Sequence, residues 1–348
     1  MSDVSRLHTV VCDMLGCEIP ILLAGMGGVA RSELAIAVAR AGGFPTLGMV
    51  REPPQLIASE VAAYRSGSDR PFAVNLIPAA TDRDLLTAQM ETCLELGVTI
   101  FSFFWDVVPE AVARAKRAGC TVLHQVGTLE CARDAEAAGA DILIAQGVEA
   151  GGHVHGRTGT FTLGAALIGK TELPVVLSGG ITTGTQFAEA LELGACGIQC
   201  GTAFLATHEA FAHDYHKQRL IDASAEDTVL TDAFVLNWPA GAAVRVLNNS
   251  VTKALGPTLI GHDPSGIRHE IIAHDEGIPR LLQSTDSPLR TTTGELERMP
   301  LYAGMGVGTI SEIGDAGDRL QQFCIGAIEA LSAQPESIQS RRSIAWKS

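Results

Sequence analysis

Over the first two hundred residues, short runs of consecutive apolar positions alternate with longer segments that carry polar residues on one side. Eight such runs stand out: "PILLA" (20–24), "FPTLGM" (44–49), "PFAVNL" (71–76), "VTIFSF" (98–103), "CTVLHQV" (120–126), "DILIAQ" (141–146), "PVVLSG" (174–179) and "GIQCG" (197–201). They are apolar throughout rather than on every second residue, the mark of strands buried on both faces in a parallel sheet. The segments between them, such as "TLECARDAEAAG" and "GTQFAEALELG", are alanine-rich, and several open on Ser, Thr or Asp. Several stop at Gly, the chemistry of helix caps. Strict strand/helix alternation reaching eight strands predicts a (β/α)8 TIM barrel, which takes about 250 residues. A doubly wound open sheet makes the same alternation. The barrel is preferred because the count reaches eight and glycines follow the seventh and eighth strands.

After residue 207 the rhythm breaks. The chain divides into a barrel core (1–207), a mainly helical lobe (208–290), and a return to the barrel with a closing helix and a surface tail (291–348). Hydrophobic residues make up 46% and charged residues 18% of the 348, which indicates a globular fold. The net charge of -14 without a Lys/Arg cluster argues against nucleic acid and anionic membranes as partners. No secretory leader or spanning run is seen, so a cytoplasmic location is expected. The eight cysteines are not spaced as zinc ligands and read as small buried residues. The trios His208/His213/His216 and His262/His269/His274 do not share a helical face, and no metal is expected.

Barrel active sites lie at the C-terminal strand ends. Those ends hold Gly25 and Met26, Asn75, the "SFFWD" cluster, Gln125, the loop "QGVEAGGHVHG" from Gln146 to Gly156, "LSGGI" and "QCGT". Glycines 179 and 180, and 201 in the next loop, let backbone N–H groups approach an anion. Loops after strands seven and eight are the habitual phosphate site of this fold. In "EAGGHVH", Gly151 and Gly152 would let the backbone run against a flat ring. His153 would then project over the site with a pKa near 6.5 suited to a base. Glu149 reads as a loop-shaping group. One of Phe103, Phe104 and Trp105 should face the barrel mouth. No G-x-G-x-x-G, P-loop or nucleophile elbow is present.

"QGVEAGGHVHG", "LSGGI" and "IQCGTAFLAT", with "PFAVNL" upstream, resemble the nitronate monooxygenase family, FMN-dependent (β/α)8 enzymes that oxidise alkyl nitronates. The resemblance runs from "IPILLAGMGG" to "LYAGMGVG" and implies FMN as cofactor, with a small-molecule substrate and O2 as partners. It makes His153 the catalytic residue. Flavin contacts would come from Gly25, Met26, Asn75, Gln125, Gln146 and Gly151. The phosphate would be held by Gly179 and Gly180 and by Gln199, Cys200, Gly201 and Thr202. A homo-oligomer is compatible with it. The chain departs from the family where Q-A-P-M is replaced by Leu23-Ala24-Gly25-Met26 and A-G-Q by Ala303-Gly304-Met305. His155 is an additional imidazole. The implied reaction takes a nitronate, or a nitroalkane after proton removal, with O2 to a carbonyl product and nitrite. Two alternatives stay open: an NAD(P)H-dependent, FMN-dependent reductase of enoyl-acyl carrier protein type, which shares E-A-G-G-H, and a flavin- or phosphate-binding barrel without turnover.

Overall fold

The computed structural model describes residues 4–239, 241–262, 267 and 269–333. All eight expected strands form: β1 (Ile21–Leu23), β2 (Thr46–Gly48), β3 (Ala73–Leu76), β4 (Ile100–Phe103), β5 (Thr121–Val126) and β6 (Ile142–Gln146). A short β7 (Gly152–Val154) lies outside the barrel before β8 (Val175–Ser178) and β9 (Gly197–Cys200). The eight barrel strands pair in parallel in the order β1-β9-β8-β6-β5-β4-β3-β2. Phe44, just before β2, closes the ring on β1: its N–H donates to Ile21 O and its carbonyl accepts from Leu23 N, both at 2.9 Å. This is a TIM barrel.

Helices α2 (Ser32–Arg40), α3 (Pro54–Gly67), α4 (Arg83–Glu95), α5 (Pro109–Arg117), α6 (Leu129–Ala138), α7 (Thr160–Ile168) and α8 (Gly184–Leu193) follow the sequence pattern, and a further helix, α1 (Val10–Leu15), precedes β1. Asp82, Thr128 and Thr183 cap α4, α6 and α8 with side-chain oxygens, and Gly139 and Gly194 end α6 and α8 in the left-handed conformation. Helix α1 plugs the lower end of the barrel. Its Val11, Cys12 and Leu15 pack with the inward residues Leu22, Phe44, Ile100 and Ile144. All eight cysteines are buried and free.

The strand period of two builds the site. Inward positions are apolar low in the barrel and polar one step up: Ala73 then Asn75, Ile100 then Ser102, Leu123 then Gln125, Ile144 then Gln146, Val176 then Ser178, joined by Gln199. Register aligns them across strands, with Asn75 paired to Ser102, Gln146 to Ser178 and Ser178 to Gln199. The result is a polar layer on an apolar plug.

After β9 come α9 (Thr202–Leu205) and α10 (Asp214–Ile221). Residues 208–290 were expected as a mainly helical lobe. The described residues there hold α10 and α11 (Ser250–Ala254) and also four strands: β10 (Thr228–Thr231), β11 (Ala243–Leu247), β12 (Ile271–Asp275) and β13 (Ile278–Leu281). Runs such as "TVLT" and "AVRVL" are β-branched, which favours a pleated strand over a helix. Strands β10 and β11 form an antiparallel sheet with β7, and β12 pairs with β13 and with β14 (Thr292–Gly294). Helix α12 (Ala316–Ser332) packs on α8 and α2, as the expected closing helix. The expected surface tail beyond residue 333 lies outside the described residues. No helix among the described residues is long and apolar enough to cross a membrane.

Candidate active site

A cavity of about 530 Å³ opens above the polar layer, at the C-terminal ends of the strands. Every residue that the sequence assigns to the site lines it: His153 and the twelve from Gly25 to Thr202. The amides form a linked floor. Asn75 Nδ2 donates to Ser102 O at 2.9 Å, Gln199 Nε2 donates to Gln125 Oε1 at 2.6 Å, and Gln146 Nε2 donates to His153 O at 2.9 Å. The acceptor oxygens Asn75 Oδ1 and Gln146 Oε1 are buried and have no partner among the described residues. Buried acceptors of this kind call for a donor, which a bound ligand can supply.

His153 is carried by β7, and β7 is held by β11: His153 pairs with Val244 and Gly152 with Arg245. Arg245 clamps the same loop, with Nε and Nη2 donating to Val148 O at 3.0 and 2.9 Å. Glu149 accepts from Thr160 N and Oγ1 at 2.9 and 2.8 Å, which is a loop-shaping role. The imidazole is part-buried on the cavity wall, with Nε2 covered. Burial, with the charge of Arg51 adding to it, pushes its pKa well below the ordinary histidine value. The shift favours the neutral, proton-accepting form of His153.

The glycines serve backbone packing as well. A Cβ on Gly151 would lie 2.6 Å from Gly304 N, and Gly152 sits at φ +78, so this pair is fixed by protein contacts rather than by a ring alone. Gly179 and Gly180 also turn at positive φ, +116 and +69. The returning chain covers that loop: Thr182 Oγ1 donates to Gly306 O at 3.2 Å, and Gly304 N donates to Thr202 Oγ1 at 3.0 Å. At Gly201 the nearest atom to an added Cβ is 3.6 Å away, so its small size is not demanded by packing.

The departures noted in the sequence have separate fates. Leu23 is fully buried in the outer core and does not line the cavity. Met305 is 40% exposed and likewise not part of the lining. Gly25 does face the site, and a Cβ there would lie 2.3 Å from Asn75 Cβ and Cγ. His155 points elsewhere: its Nε2 meets Asp106 Oδ1 at 2.9 Å, and its ring packs edge-on against Trp105. Of the "SFFWD" aromatics, Phe104 lines the cavity. His216 is buried, with Nε2 at 3.0 Å from Tyr302 O, and His213 caps α10 through Tyr215 N. Ser102, the first residue of the "SFFWD" cluster, is on the cavity wall; sequence reasoning missed the distant Arg51, Trp238, Arg280 and Tyr302, which also line it.

The family model for nitronate monooxygenase matches residues 8–326. A nitronate monooxygenase of Paraburkholderia phytofirmans is 32% identical over 76% of this chain and 82% of that protein. The (3aS,4S,5R,7aS)-5-hydroxy-7a-methyl-1-oxo-octahydro-1H-indene-4-carboxyl-CoA dehydrogenase of Mycobacterium tuberculosis is 34% identical over 65% of this chain. The match spans 63% of that relative's own length. Among solved structures, a nitroalkane oxidase from Streptomyces ansochromogenes superposes with a TM-score of 0.76 at 31% identity, covering 94% of this chain and 100% of that one.

Proposed function

The chain belongs to the nitronate monooxygenase family of flavin-dependent oxidoreductases, and on that premise we propose that it oxidises alkyl nitronates, and nitroalkanes after proton removal, with FMN and O2, to a carbonyl product and nitrite. The observation that carries this reading is an imidazole, His153, on the wall of one cavity that also holds the glycine loops after β8 and β9, its pKa lowered by burial.

The residues fit FMN. Asn75 Oδ1 and Gln146 Oε1 are free acceptors for a ring N–H, and Gly179, Gly180 and Gly201 line the cavity, where their backbone N–H groups would meet one phosphate. When bound, FMN supplies the electron-accepting ring that takes electrons from the carbanion and passes them to O2. The chain does the rest. The amide floor and glycine loops orient the ring. Phe104 and the aromatic wall exclude water from the carbanion. His153, its neutral form favoured by burial, accepts the α-proton of a neutral nitroalkane, and a preformed nitronate needs no such step.

His153→Asn should therefore lower turnover of a neutral nitroalkane about a hundredfold to ten-thousandfold. It should leave nitronate oxidation and flavin content much less affected. Oxygen uptake with both substrates decides it; equal nitroalkane turnover in the parent and His153→Asn removes the base role. His155→Asn should change little in either assay. Mass spectrometry of the heat-released cofactor tests FMN, and FAD there would overturn that part.

A second reading, oxidation or reduction of a thioester-linked substrate, is favoured by the name of the Mycobacterium tuberculosis relative. Anaerobic mixing with NADPH separates them. A nitronate oxidase keeps its flavin oxidised until nitronate is added. Rapid bleaching by NADPH, followed by reoxidation with an enoyl thioester, would reverse the ranking.

A further inference from the structure

We propose that Trp238 is the gate of the site: its indole covers His153 Nε2, and a substrate reaches that nitrogen when the corner Asn237–Pro239 swings outward. The inference rests on the reading of His153 as the proton-accepting group, and it gives that residue a specific access route.

The two rings lie stacked, with centroids 3.5 Å apart and planes 14° from parallel. Trp105 stands edge-on to both, at 6.0 Å from His153 and 5.6 Å from Trp238, and Tyr302 closes a further side at 6.1 Å. In this arrangement His153 Nε2 is covered and has no hydrogen-bond partner among the described residues, and the same holds for Trp238 Nε1. Nε2 cannot meet a substrate proton while the indole covers it, so for that nitrogen to act the indole must move. Two polar ring nitrogens left unpaired side by side also make the sealed state costly, and opening would relieve both.

Trp238 is placed to be the moving part. It forms wall on two sides: it lines the main cavity, and it also lines an outer surface depression with Arg51, Pro239 and residues Ala79 to Asp82. The indole therefore has a space to enter on leaving His153. Its corner is built on strained backbone, with Asn237 at φ 70 and Arg51 at φ 57, conformations that side-chain-bearing residues adopt only when their surroundings enforce them. The latch is the Arg51 guanidinium. Nη1 donates to Asn237 O at 2.6 Å and Nη2 to Thr285 Oγ1 at 3.1 Å. The fixed end of the corner is Val235, whose N–H donates to Gln283 O at 3.0 Å. An anionic substrate arriving at the cavity mouth would compete for the Arg51 cation and release Asn237 at the same moment.

Diethyl pyrocarbonate, which acylates unprotonated imidazole nitrogen, reads the gate without reading catalysis. The protein as purified is treated at neutral pH, with flavin content matched between variants, and modification of each histidine is followed by peptide mass. A seal closed about ten to one masks His153 about tenfold. Trp238→Ala and Arg51→Met should each speed modification of His153 by about that factor or more. Trp238→Phe, which keeps a flat cover, should match the parent. The exposed His8 serves as an internal reference and should react equally in all. His153 reacting as fast as His8 in the parent, or staying equally protected in the parent and Arg51→Met, would overturn the gate. Should Trp238→Ala fail to fold, Arg51→Met and Trp238→Phe carry the same test. Loss of the base role, read separately from nitroalkane turnover in His153→Asn, would leave this outcome standing or falling by itself.

Discussion

Gly25 and Asn75 form a matched pair. The Asn75 side chain lies where a Cβ on residue 25 would be, 2.3 Å from Asn75 Cβ and Cγ. Asn75 is held there by a 2.9 Å bond to Ser102 O, and its Oδ1 remains for a ligand. Gly25→Ala must push Asn75 aside, so the acceptor is lost without its residue being changed. The expected effect is FMN binding weakened by about tenfold, equal to about 1.4 kcal/mol. Asn75→Ala should cost a similar amount, and the double variant no more than Asn75→Ala alone, because the two act through one contact. Titration of the apoprotein with FMN, followed by flavin fluorescence, measures all three. Additive losses in the double variant would show that Gly25 acts on its own. The substitution of Pro by Gly at this position of the family motif thus has a local steric reason.

At the scale of elements, the barrel was legible because each strand is a continuous apolar run and several helices carry their own caps. The floor of the site was legible for a related reason. A polar residue ending an apolar strand, as Asn75, Gln125, Gln146 and Gln199 do, breaks the pattern at the end where ligands bind. Ser102 does the same on β4, where it opens the "SFFWD" cluster behind Phe101. The lobe was harder. Its strands are short, and what they do depends on pairing across distance: β11 meets β7 nearly ninety positions away in sequence, and no local pattern announces it. The same holds for Trp238 and Tyr302, which reach His153 only through tertiary packing. Pairing with β11 is what turns "GGHVHG" into a strand aimed at the cavity, and Arg245 secures it. Arg245→Met removes two charge-assisted bonds to Val148 O and leaves that carbonyl without its donor. Stability should fall by about 1.5–3 kcal/mol. Nitroalkane turnover should fall more than FMN affinity does, since the loop carrying His153 loosens while the glycine loops after β8 and β9 stay. Thermal denaturation with FMN titration checks this; an unchanged melting temperature would mean that the strand pairing alone holds the loop.

For the molecule as a whole, buried histidines set how it responds to acid. His124 and His216 are both enclosed, and burial lowers each from the ordinary 6.5 to about 4. His153 is lowered in the same direction. In the unfolded chain all three take up a proton near 6.5, while the folded protein keeps them neutral. Between pH 6.5 and 4 the unfolded state therefore binds more protons, and stability falls as pH drops. A gap of 6.5 to about 4 corresponds to about 3 kcal/mol for each of His124 and His216, fully lost once pH reaches about 4. Glu52 works the other way. Its burial raises its pKa, so the folded state takes up its proton first, which offsets part of the loss. Asp232 and Asp275, with lowered pKa, add to the loss only at still lower pH. Against a total domain stability of about 5–15 kcal/mol, two such histidines are a large part of the acid sensitivity above pH 4. The melting temperature should thus decline steadily from pH 6.5 to 4. His216→Gln can still donate to Tyr302 O but cannot take up a proton, so its curve should start lower at pH 7 and fall less steeply. Parallel curves for the parent and His216→Gln would show that His216 is not among the groups that drive acid unfolding.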